Sequence, residues 1–96
     1  MLSILPRAPR MPMRTPIAYR RATDDEWFQS RISNISESGV LFGPTMLKPG
    51  AMVEVMFSTP VPIGGIAPGK MMCTGQVIRT DERGETAAQF RQCRFC

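Results

Sequence analysis

Apolar and polar residues alternate with period two in short runs, and glycine and proline punctuate the runs. The clearest is Met52-Val53-Glu54-Val55-Met56-Phe57-Ser58, which puts Val53, Val55 and Phe57 on one face of a strand. Before it, Pro16 opens a short alternating strand, Ile17-Ala18-Tyr19-Arg20-Arg21, and Ala22 to Asp25 turn the chain into a second, Trp27 to Ser33. A third, Val40-Leu41-Phe42, is closed by Gly43-Pro44. The Pro49-Gly50 turn precedes the Met52 strand, and Pro60 to Gly69 reads as a long hairpin loop. Lys70 to Thr80 and Thr86 to Phe95 supply the last two strands around the turn Asp81-Glu82-Arg83-Gly84. No stretch sustains the 3.6-residue apolar spacing of a helix.

Six short strands with turn chemistry between them predict an all-β fold, a six-stranded antiparallel barrel with little or no helix. Closure removes the exposed edges that a small sheet would otherwise present. Residues 1–15 stand apart. Pro6, Pro9 and Pro12 suit neither a helix nor a central strand, so this segment is expected to be an extended, flexible arm on a barrel spanning 16–96. Trp27, Phe28, Phe42 and Phe57 are the expected aromatic core, with the eight methionines filling its irregular gaps.

The 96 residues make one domain. No apolar run approaches the ~20 residues of a membrane span, and the first residues lack the charged flank of a signal peptide. A cytoplasmic protein with no membrane insertion is expected. The net charge of +4 is unevenly placed: up to Thr23 there are five arginines and no acid, whereas the rest carries seven bases and eight acids. The positive charge is thus essentially the N-terminal segment, which attracts anions locally. Three cysteines, an odd number, fit reduced thiols better than a disulfide framework. Cys93 and Cys96 form a lone C-x-x-C without the helix start a redox dithiol needs, and a zinc site lacks a fourth ligand. With no histidine, the commonest general base and the commonest metal ligand are both missing, so a binding protein is expected rather than an enzyme, with no cofactor and no metal.

Two features then bear on the ligand. Arg10 and Arg14 place two guanidinium forks on the arm, and Asn34-Ile35-Ser36-Glu37-Ser38-Gly39 follows the second strand as a polar turn. Guanine offers O6 and N7 to a bidentate arginine, and charge-assisted arginine contacts to phosphate are roughly twice as strong as neutral ones. The side-chain carbonyl of Asn34 suits the remaining N–H donors of guanine, Ser36 adds a hydroxyl, and Gly39 permits a positive φ or a close backbone approach. Each feature has a plain counterpart: a solvated basic arm, and ordinary turn chemistry. Asn34-Ile35-Ser36 also fits a glycosylation sequon, which requires a secretory route. Together, in this order, the two features point to a guanine nucleotide.

The order of arginine pair, strand pair, Asn-x-Ser-x-x-Gly and apolar strand resembles the PilZ domain, the bacterial receptor module for cyclic di-GMP. That family carries an Arg-x-x-x-Arg motif followed by Asp/Asn-x-Ser-x-x-Gly, here Arg10 and Arg14, then Asn34, Ser36 and Gly39. Leu47 to Val55 resembles the family's Pro-Gly passage into a strand, and Gly75 to Arg79 its fifth strand. The resemblance implies a barrel whose N-terminal arm folds over cyclic di-GMP, the arginines clamping guanine and phosphate and Asn34 and Ser36 reading base edges. It implies a receptor that signals to a downstream protein partner by ordering its arm. The rival expectations are a ligand-free PilZ-like module that docks to a protein, and a small basic barrel that binds single-stranded nucleic acid. Dense interleaving of basic and aromatic residues, which the nucleic-acid reading needs, is missing.

Overall fold

The computed structural model describes residues 11–12, 15–59 and 69–95. A two-residue strand β1 (Met11–Pro12) precedes β2 (Pro16–Arg21), β3 (Phe28–Ser36), β4 (Gly39–Gly43), β5 (Met52–Thr59), β6 (Gly69–Thr80) and β7 (Thr86–Phe95). The six longer strands pair antiparallel in the order β3-β2-β5-β6-β7-β4, and β4 returns to β3 to close the barrel. All six fall where the alternation put them, with ends that differ by a few residues. The exception in extent is β3, which continues through Asn34 to Ser36, so the turn between β3 and β4 is only Glu37-Ser38.

Period two explains the interior. In β5, Val53, Val55 and Phe57 are buried, and in β6 Met71, Cys73 and Val77 take the same alternating places. Ile17 and Tyr19 of β2, Ile32 and Ile35 of β3, and Val40 and Phe42 of β4 complete the core. Tyr19 stacks at a tilt on Phe42, with ring centroids 5.5 Å apart, and burial raises its phenol pKa above the ordinary value.

Two expected core aromatics lie elsewhere. Phe28 is 45% exposed at the mouth of β3, where its ring lies against Tyr19. Trp27 sits in the turn before β3, with the Arg20 guanidinium 4.7 Å from its ring centre. Arg20 also pairs with Glu54 across β2 and β5, so Trp27 caps an outer ion pair instead of filling the interior. The methionines also depart from expectation. Among those whose side chains are described only Met71 is buried, and Met46 is 95% exposed. Unbranched side chains tolerate partial exposure, and the β-branched residues already fill the barrel.

Two cysteines are not free thiols. Cys73 and Cys93 face each other across β6 and β7 and form a disulfide. Their spacing in the chain hid this, because the strand register alone brings them opposite. No helix among the described residues is long and apolar enough to cross a membrane.

Candidate functional site

Strand β3 organises the site. Ile32 and Ile35 are both buried although three residues apart, an odd spacing that would place them on opposite faces of a regular strand. The pairing with β4 accounts for it: Ile32 lies opposite Phe42 and Asn34 opposite Leu41, leaving Ser33 as the extra residue of a β-bulge. The Ser33 hydroxyl donates to Glu85 Oε2 at 2.8 Å, which pins the bulge to the segment just before β7. Asn34 therefore alternates outward between two inward isoleucines and is half-buried.

The free edge of β3 beside Asn34 is taken by the N-terminal segment. Met11 pairs with Ile35 and Pro12 with Asn34, and farther along the Ile32 N–H donates to the Thr15 carbonyl at 2.9 Å. Pro16 then opens β2 opposite Arg31. Arg10 and Arg14 themselves lie outside the described residues. The described residues that flank them in sequence, Met11, Pro12 and Thr15, are all on β3 within two positions of Asn34. Met11, Pro12 and Thr15 thus lie along the same edge of β3 as Asn34.

Ser36 is fully buried. Its hydroxyl accepts the Ser38 N–H at 3.2 Å and lies 3.0 Å from the Ser38 hydroxyl. These bonds fasten the two-residue turn. Of the two roles expected of Gly39, a positive φ or a close backbone approach, the first is not taken. The left-handed glycines among the described residues are Gly50, Gly69 and Gly84, so Gly39 has no positive φ. It pairs with Ser36 on one side and Gln89 on the other, and it is buried between them. The turn needs no left-handed residue because the serine bonds close it locally.

Residues missed in the sequence complete the surroundings. A hollow of about 340 Å³ next to this edge is lined by Pro16, Gln29, Ser30, Arg31, Gly43 and Pro44. A second, also about 340 Å³, lies across Gly43 and Pro44 and is lined by Arg83 and Glu85. The Ile-x-x-Ile spacing was the available signal, since it breaks the alternation where a bulge must sit. At the far end of β3 from Asn34, Tyr19, Phe28, Met46 and Leu47 line an apolar groove of about 390 Å³ with Arg21 and Asp24 at its rim. Of the predicted ligand residues that are described, Asn34, Ser36 and Gly39, none lines it.

The PilZ domain family model matches residues 5–96. No curated protein matches the chain.

Proposed function

Because the chain belongs to the PilZ domain family, a family of binding and receptor domains, we propose that it is a cyclic di-GMP receptor that signals through its N-terminal arm. Arg10 and Arg14 clamp guanine and phosphate, Asn34 and Ser36 read the guanine edge, and Gly39 lets the turn sit close to the ligand. The observation that supports this reading most is the pairing of Met11 and Pro12 with Ile35 and Asn34, which brings the arginine segment to the strand that carries the polar motif. A segment pinned elsewhere on the barrel would have made a joint site sterically inaccessible.

Binding orders the arm of residues 1–15 by locking the pairing of Met11 and Pro12 with β3, and so creates a new surface for a downstream protein. Ordering a segment on binding costs roughly 2–5 kcal/mol. A bidentate arginine–guanine contact contributes about 1–3 kcal/mol of discrimination, and charge-assisted contacts to phosphate add to it. Losing either arginine should therefore weaken binding by about tenfold or more. Calorimetric titration of Arg10→Ala and Arg14→Ala with cyclic di-GMP tests the clamp; wild-type affinity in both variants refutes it.

The apolar groove at the other end of β3 favours a second reading, a PilZ-like barrel that docks to a protein without ligand. Under that reading cyclic di-GMP leaves the melting temperature of the wild-type protein unchanged.

A further inference from the structure

The aim of the Asn34 side chain depends on a residue that the polar motif does not contain. Ile32 and Ile35 are both buried, and their burial decides that Asn34 faces outward. It does not fix the arc of the chain between them. That arc is the bulge at Ser33, an extra residue without a partner on β4, and a bulge re-aims the side chain beside it. Reading a base edge requires a fixed donor and acceptor geometry, so the angle of the bulge matters to recognition.

The bulge is tied to the far side of β4. Strand β4 pairs with β3 on one side and β7 on the other, and the Ser33 hydroxyl donates to Glu85 Oε2 across it at 2.8 Å. A hydrogen bond to a carboxylate is of the stronger, charge-assisted kind. Glu85 is itself held at the backbone. Its N–H donates to Asp81 Oδ1 at 3.0 Å, and its carbonyl accepts the Asp81 N–H at 2.9 Å. The next residue, Thr86, is fully buried, with its hydroxyl 2.6 Å from that of Thr45. Glu85 also lies against the bare backbone of Gly43, where a Cβ would come within 2.9 Å of the Glu85 Cα. The turn between β6 and β7 is thus a firmly bonded mount, and the Glu85 side chain carries its position to the strand that bears Asn34.

We infer that Ser33 and Glu85 are positioning residues for ligand recognition, together setting the angle at which the Asn34 carboxamide meets a guanine edge. Both act through Asn34 and not by touching the ligand. The inference rests on the receptor reading above. It adds two residues, 52 apart in sequence, that lie outside the Arg-x-x-x-Arg and Asn-x-Ser-x-x-Gly pattern.

Calorimetric titration of the full chain with cyclic di-GMP tests it. Ser33→Ala and Glu85→Ala each remove the bond and should weaken binding by about tenfold. Ser33→Thr keeps the hydroxyl and Glu85→Gln keeps an acceptor, so both should stay close to wild type. A bond that served only the stability of the fold would weaken binding whatever stands at position 34, so coupling to Asn34 is the decisive readout. In an Asn34→Ala background, Ser33→Ala should cause no further loss of affinity. An additional loss there overturns the inference, as does wild-type affinity in both alanine variants or a loss in Ser33→Thr and Glu85→Gln equal to theirs. Each of these results leaves the receptor reading standing. A wild-type protein that does not bind cyclic di-GMP overturns both.

Discussion

At Gly43 the absent side chain is the structural requirement. The residue crosses β4 so close to the start of β7 that a Cβ would come within 2.7 Å of the Gly84 oxygen and 2.9 Å of the Glu85 Cα. Both obstacles are backbone, so relief requires moving β4 or the segment before β7. Gly43→Ala should therefore destabilise the fold by roughly 1–3 kcal/mol through crowding, read as a lower denaturant midpoint at unchanged slope. At this scale the sequence was informative about residue type and weak about side. Val53, Val55 and Phe57 were legible because period two is uninterrupted around them. Phe28 was not, because at a strand mouth its hydrophobicity does not say whether core or surface receives it. Asn34, Ser36 and Gly39 were legible as a pattern. The burial of Ser36 and the ordinary φ of Gly39 depend on a turn whose length only the pairing of Ser36 with Gly39 fixes.

Among the elements, β3 and the β6–β7 pair show what a run of residues can and cannot reveal. The existence of every long strand could be read from alternation, but registers could not, since they are set between segments distant in the chain. The β6–β7 register illustrates the consequence: it sets Cys73 against Cys93 and so forms a cross-link with a sequence separation of 20. A loop of that order restricts the unfolded chain and stabilises the fold by about 3 kcal/mol. Reduction of the wild-type protein should lower its unfolding free energy by about that amount. The double variant Cys73→Ala/Cys93→Ala should be indifferent to reductant. Equal unfolding curves for the wild type with and without reductant would show that the bond contributes nothing to stability.

At the scale of the whole barrel, the described residues show an incomplete seam between β2 and β3. β2 pairs with β3 only through Phe28 to Arg31, while β3 runs on to Ser36. On that side the remaining backbone of β3 meets Thr15 at Ile32 and β1 at Asn34 and Ile35. The segment that carries five of the twelve basic residues before Thr23 is thus the one that completes the barrel wall, beside the proposed ligand. Under the proposed function, covering this edge and holding an anion there would be coupled, since a ligand gripped by the arginines would also favour the closed wall. The coupling was not legible in the sequence, where the prolines indicated only an extended arm. It leads to a prediction about protection. On addition of cyclic di-GMP, amide hydrogen exchange should slow in residues 32–36, while β5 and β6, paired on both sides in either state, should keep their rates. Tight binding with no change in 32–36 would mean that the arm is already closed without ligand, and signalling by arm ordering would then fail even if the receptor reading held.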